Sequence, residues 1–230
     1  MIIAIDFSIN STGICLLNED GIHFLSIARN TVASSDFFNI LTENQIHITN
    51  LTKYKSCGTS SIDERGYTRD AIQLAHEISE LIKTVNKGKG DSEENIIIFE
   101  GFSFGSKGNR LAQISGYQYI LRDKLSDLLN FDNLYVYAPQ SVKSTAGCAG
   151  RGKNKKDMIT AFREHDELLP KLKEHIFYKN IINNPELFQT KKTKRGGGKF
   201  RKPIDDLIDS YWILKTFIKK ENYNISDVYK

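Results

Sequence analysis

The sequence predicts an α/β fold built on a mixed sheet, three antiparallel strands followed by parallel ones, flanked by helices. Three observations carry this. The apolar run Ile2-Ile3-Ala4-Ile5 stops at a carboxylate, Asp6, and a polar turn then leads into two further apolar stretches, the pattern of consecutive hairpins. A second run, Ile96-Ile97-Ile98-Phe99, is apolar on both faces, as strands in a parallel interior are, and it also stops at an acid, Glu100. Stretches with apolar residues at helical spacing precede and follow this second run.

Taken in order, the first strand turns through Ser8, Asn10, Ser11, Thr12 and Gly13 into a second strand that ends at Asn18. Glu19-Asp20-Gly21 is a tight-turn signal, and Ile22 to Ala28 alternates as a third strand. Periodicity fails from about 30 to 68, which reads as an irregular insertion. Ala71, Leu74, Ala75, Ile78, Leu81, Ile82 and Val85 define a helix that ends at Asn86-Lys87-Gly88. After Glu100, a loop rich in Gly and aromatic residues leads to a helix from about Arg110 to Leu129. Leu134 to Ala138 is a short strand stopped by Pro139, and a further helix runs from about Lys155 to Leu168. Pro170 and Pro185 interrupt a weak helical pattern between 170 and 190. Pro203 opens the last helix, with Asp205 and Asp206 in its first turn, where the helix dipole favours carboxylates.

With 230 residues and no Pro-rich or Ser-rich linker, the expectation is a single domain over 1–230 with insertions near 30–68 and 170–202. Hydrophobic residues at 40% and charged residues at 26% are the balance of a globular protein in water. Net charge is only +4, yet 12 of the 32 Lys and Arg fall in two short, acid-free, Gly-containing stretches. Lys143, Arg151, Lys153, Lys155 and Lys156 form one; Lys191, Lys192, Lys194, Arg195, Lys199, Arg201 and Lys202 form the other. Such clusters suit a polyanion, because each neutralised phosphate releases condensed counterions. Cys15, Cys57 and Cys148 have no paired spacing, which argues for a reducing, cytoplasmic setting (the host cytoplasm if the chain is viral) and against structural zinc. No apolar run approaches a membrane span.

The acids define the chemistry. A strand-end Asp can simply cap the turn after it. Here, however, Asp6 and Glu100 both end buried strands, and Asp206 and Asp209, three residues apart, share one side of the last helix. Four such carboxylates repel one another unless cations are present. Oxygen-only sites select hard ions such as Mg2+. Two of these about 4 Å apart can activate a water and stabilise the leaving oxygen in phosphodiester hydrolysis.

The same segments carry a resemblance. Ile3-Ala4-Ile5-Asp6-Phe7-Ser8 with Ser11-Thr12-Gly13 is similar to the opening G-I-D-P-G…T-G strand and turn of the RuvC-type Holliday junction resolvases, members of the ribonuclease H-like superfamily. Ile98-Phe99-Glu100 resembles their strand bearing a metal-binding Glu. Ala138-Pro139-Gln140-Ser141-Val142-Lys143, with Gly150, Gly152, Lys155, Lys156 and Met158, resembles the P…V-K…G-x-G-x-A-x-K…M segment. Asp206-Leu207-Ile208-Asp209-Ser210 resembles the closing D-A-A-D-A helix. The divergent bacteriophage resolvases are the most similar branch. Phe7 departs from the pattern, and Asp205 is an acid that the pattern lacks.

The resemblance implies a ribonuclease H-like sheet and a Mg2+-dependent (or Mn2+-dependent) endonuclease that resolves four-way junctions by paired nicks. Asp6, Glu100, Asp206 and Asp209 would hold two metal ions. Lys143 and Lys155 or Lys156 would face the active site and DNA, with Lys155 assigned to catalysis and Arg151, Lys153, Lys194 and Arg195 adding to the DNA-binding surface. Phe102 and Phe104 flank the place of an aromatic that wedges into the junction. The implied assembly is a homodimer about the helix from Arg110 to Leu129, through Gln113, Tyr117, Tyr119 and Arg122. A flap or branched-DNA nuclease of the same fold, or a DNA-binding protein of that fold without catalysis, are the alternatives. An actin-like ATPase needs a duplicated domain for which 230 residues without a repeat leave no room.

Overall fold

The computed structural model describes residues 1–29, 35–86, 95–102, 109–128, 131–150, 155–164, 167–190 and 199–228. The hairpins form as their alternation requires. β1 (Ile2–Asp6) pairs antiparallel with β2 (Ser11–Asn18), and β2 pairs antiparallel with β3 (Gly21–Arg29). Asn18 makes the second turn by accepting from the backbone N–H groups of Asp20 and Gly21, and Gly21 supplies a φ of +133°. β5 (Ile96–Glu100) lies parallel beside β1, and β6 (Leu134–Tyr137) parallel beside β5. This is the mixed sheet expected, three antiparallel strands continued by parallel ones.

The region from 30 to 68 is not the irregular insertion that its lack of periodicity suggests. It contains α1 (Ser35–Glu43), a sixth strand β4 (Ile46–Leu51) parallel to β3, and the first turns of α2 (Ser60–Val85). The full order across the sheet is β4-β3-β2-β1-β5-β6. The signal is weak for physical reasons: α1 has only Phe37 and Leu41 fully buried, and the middle of β4 is half-exposed because it is an edge. The polar run before α2 is its anchor. The Asp63 carboxylate accepts from Tyr54 Oη at 2.9 Å, Ser56 Oγ at 2.6 Å and the N–H of Cys57 at 2.8 Å. These donors, Ser56 foremost, hold its carboxyl well below the usual carboxylate range.

Later elements also differ from expectation at their bounds. α3 (Asn109–Leu125) ends a turn early in a 3-10 segment, and α4 (Pro139–Thr145) is a helix where only a basic loop was expected. α5 (Lys155–Glu164) is shorter than expected, and the ambiguous stretch resolves into α6 (Pro170–Glu174) and α7 (Ile176–Asn183). α8 (Ile204–Lys220) closes the fold. Cys15, Cys57 and Cys148 are free thiols. Among the described residues no helix is long and apolar enough to cross a membrane.

The sheet's two faces carry separate cores. Ile3, Ile5, Leu16, Leu25, Ile97 and Phe99 pack against α2 and α3. Ile2, Ala4, Cys15, Leu17, Phe24 and Ile98 pack against α8 and the helices around it. The α2 and α3 side is locked by a buried network: Arg29 pairs with Asp70, whose carboxylate also accepts from Tyr117 Oη at 2.8 Å and the N–H of Tyr54 at 2.9 Å. Tyr117 therefore points inward, not to the outer surface of α3.

On the other side, α8 lies directly on the sheet. A Cβ at Gly13 of β2 would stand 2.3 Å from the Asp206 carbonyl oxygen, so only glycine admits the helix at this depth. Gly13→Ala is expected to cost about 1–3 kcal/mol by overpacking. Gly116→Ala in α3, where a Cβ meets nothing within 4 Å, should be neutral or stabilising by up to about 1 kcal/mol. Urea denaturation of the two variants checks the contrast, and equal losses would contradict the close approach.

His175, at the junction of α6 and α7, accepts from the N–H of Phe177 and packs edge-on to Phe24. Burial first, then His23, His47 and Lys179, pull its pKa from 6.5 down to about 4. Below 6.5 the unfolded chain takes up a proton that the folded chain refuses, so stability should fall from pH 6.5 to about 4, by as much as roughly 3 kcal/mol. His175→Asn, which keeps an acceptor for Phe177, should flatten that slope in denaturation measured across this pH range.

Candidate active site

Strand register brings the first two acids together. Ile2 pairs with Ile96 and Ile5 with Phe99, so Asp6 and Glu100 come next in step on strands about 4.8 Å apart. Alternation fixes their face. Ile2, Ala4, Ile96 and Ile98 belong to the α8 core, and residues two further along, Asp6 and Glu100, follow on the same side. Both are half-buried at the carboxyl ends of their strands. The end of β5 is held from behind: Gln118 Nε2 donates to the Glu100 carbonyl at 3.2 Å, and Arg122, stacked over Phe99, donates to Gln118. Tyr137 pairs with Glu100 across β6 and donates to Glu221 at 2.7 Å. Burial, and then this carboxylate, push its phenol above the ordinary range.

The third acid arrives through Gly13. This glycine is the cross-strand partner of Asp6, and the peptide of Asp206 lies against it. Most of α8 is buried, because the sheet covers one side and α4 and α5 the other. Asp206 occupies a buried position, whereas Asp205 and Asp209 sit at half-exposed ones. The extra acid that complicated the sequence register is thus turned about 100° from the one seated on the sheet.

Lys202 is the neighbour of these acids that the sequence does not single out. By sequence one more charge of the second basic stretch, it contacts Asp206 through its ammonium and lies 3.0 Å from Asp205 Oδ2. The side chain of Asp206 is 2% exposed, that of Asp205 18% and that of Lys202 46%, so a cation reaches in from solvent to a buried carboxylate. The legible signal was a Lys three and four residues before two acids at a helix start. Arg201, from the same stretch, is fixed as well, its guanidinium 3.6 Å from the Phe37 ring centre.

The expected basic and aromatic residues fall into two groups. Lys143 is half-buried on α4, and Lys156 is exposed in the first turn of α5; both helices pack on α8. The indole of Trp212 ties α5 down by donating to the Met158 carbonyl at 3.2 Å. Phe102 is half-buried just beyond β5. Arg151, Lys153, Phe104, Lys194, Arg195 and the Lys155 side chain lie outside the described residues.

The backbone therefore directs Asp6, Glu100 and Asp206 to one end of one face of the sheet, with Asp209 one helical turn on. The donor set is all carboxylate, which suits a hard divalent cation, and the chain already sets a cation of its own, the Lys202 ammonium, against two of its acids. Among the described residues no three His, Cys, Asp or Glu side chains are gathered closely enough to hold a metal ion.

Fold and site define a six-stranded mixed sheet flanked by helices, with an acid at the carboxyl end of each of two adjacent interior strands. No family model matches the chain, and no curated protein sequence does. Among solved structures it is similar to Thermus thermophilus RuvC, with a TM-score of 0.47 and 12% identity over 96% of each chain. It is similar to the same protein in complex with Holliday junction substrate, with a TM-score of 0.44 and 11% identity over 96% of this chain and 94% of that one. The yeast mitochondrial Holliday junction resolvase Ydc2 gives a TM-score of 0.46 and 13% identity over 99% of this chain and 81% of that one.

Proposed function

We propose that the chain is a divalent-metal-dependent endonuclease for branched DNA, a resolvase of four-way junctions. The observation that carries this reading is the backbone placement of three acid-bearing segments at one end of the sheet: β1 and β5 in register at Asp6 and Glu100, and the peptide of Asp206 against Gly13, the partner of Asp6. An ordinary structural role needs no such placement, since like charges brought near one another destabilise a fold.

Asp6, Glu100, Asp206 and Asp209 would hold Mg2+, or Mn2+ in its place. Two such ions would activate a water and stabilise the leaving oxygen of an in-line phosphodiester displacement. The chain's own groups do the rest. The ladder between β1 and β5 and the Gln118 bond to the Glu100 carbonyl fix the carboxylate positions. Lys143 and Lys156, on helices bound to α8, would meet the phosphates flanking the cut, and the resemblance assigns the scissile one to Lys155. The stretch from 191 to 202 adds sequence-independent affinity.

Two nicks related by a junction's two-fold symmetry require two sites, which a chain with one acidic centre supplies as an isologous dimer. The outward positions of α3, Ala112, Gly116 and the 60% exposed Tyr119, offer the contact, with Tyr117 excluded because it is turned inward.

The experiment is cleavage of labelled four-way junction, Y-fork and linear duplex, each with Mg2+ and with EDTA. Paired symmetric nicks in the junction, dependent on Mg2+ and lost in Asp6→Asn while DNA affinity is kept or slightly raised, are expected. Equal cutting of linear duplex, or single nicks by a one-to-one complex, would replace the resolvase by a flap or general branched-DNA nuclease. No cutting by any arm would leave a binding protein.

A second expectation separates the neighbouring acids. Asp206→Asn should remove at least about 100-fold of the cleavage rate, as loss of an electrostatic group at the reacting centre does, and Asp205→Asn should only weaken it. Single-turnover rates decide, and the reverse order would move the register of α8 by one residue.

A further inference from the structure

On the reading of Asp206 as a metal ligand, we propose that Lys202 is a built-in counter-ion: a divalent cation displaces it from Asp206, and Asp205 then keeps it. The geometry is an exchange site with two positions. Asp206 is buried against the sheet, and a buried carboxylate needs a cation beside it. Lys202, just before the helix, supplies one through a half-exposed stem, while Asp205 waits 3.0 Å from the same ammonium on the half-exposed side of the helix.

Charge decides the direction of exchange. Lys202, Asp205 and Asp206 together carry one positive and two negative charges, so this trio favours a further cation. A divalent ion brings twice the charge of an ammonium and binds several oxygens at once, so it prefers the deep carboxylate, where Glu100 and Asp6 add theirs. The displaced ammonium need not return to water, because Asp205 already holds it. This gives Asp205, the acid absent from the resolvase pattern, a purpose. It also makes Lys202 a positioning residue that holds the Asp206 side chain in place before metal arrives.

The test is Mn2+ affinity without DNA, read from the free-ion electron paramagnetic resonance signal, in the wild type, Lys202→Met, Asp205→Asn and the double variant. Lys202→Met should bind Mn2+ about fivefold more tightly, since no ion pair is lost on binding. Asp205→Asn should bind more weakly, because the ammonium then has only Asp206 to hold. The double variant should match Lys202→Met. Thermal unfolding adds a second readout: Lys202→Met should melt below the wild type in EDTA and recover in Mn2+. A purely structural ion pair would lower stability in both conditions and leave affinity unchanged or reduced, and that result overturns the proposal. So does unchanged or tighter binding in Asp205→Asn, which decides alone if Lys202→Met does not fold. Failures are separable. Wild-type protein that binds Mn2+ in this pattern but cuts no DNA removes the nuclease and keeps the exchange; cutting with unaltered affinities removes only the exchange; no Mn2+ binding by any form removes both.

Discussion

The structure depends on one close approach, that of the Asp206 peptide to Gly13. A side chain at 13 would hold α8 off the sheet, and everything mounted on α8 would move with it. The contact settles the depth of the last helix, joins the beginning of the chain to its end, and sets a carboxylate beside the strand that finishes in Asp6. Packing and chemistry are here the same constraint, because the glycine that permits the core also places the acid.

The two faces of the sheet divide the labour. Behind it, Asp70 binds β3 through Arg29, α3 through Tyr117 and the segment before α2 through Tyr54. Such a network tolerates little movement, since removing one partner strands the others in a medium of low polarity. In front, the acids meet a half-exposed lysine, an arrangement that water and ions can enter. Rigidity on one side gives the other a fixed base on which charge can be rearranged.

Much of this was legible in the chain itself. The strands that end in Asp6 and Glu100 were plain because interior strands are apolar on both faces, so an acid at their end stands out. The last helix was plain from its apolar spacing and acidic first turn. α1 and β4 were not, since a nine-residue helix with two fully buried anchors and an edge strand with a half-exposed middle leave no period to read. α4 was hidden because Pro139 serves equally to end a strand or begin a helix. Tyr117 and Lys202 were not legible for different reasons: Tyr117 is claimed by Asp70 on another helix, 47 positions away in the sequence, and Lys202 by Asp206, four positions on, across the start of α8. Helical spacing orders side chains on one helix; it cannot say which of them a second element will claim.

The sheet order has a consequence for how the protein reaches its working form. Gly13 belongs to the second strand and Asp206 to the last helix, so the two ends of the chain are joined by a contact between residues 193 positions apart. Contacts of such sequence separation are slow to form, because the chain loses loop entropy before they return any energy. The hairpin of β1 and β2 can assemble early, but a chain stopped anywhere short of α8 carries only half of the four carboxylates and an uncovered apolar face. In an emerging or truncated polypeptide the first two acids therefore stand without the last two, and all four belong to one fold only once α8 has docked.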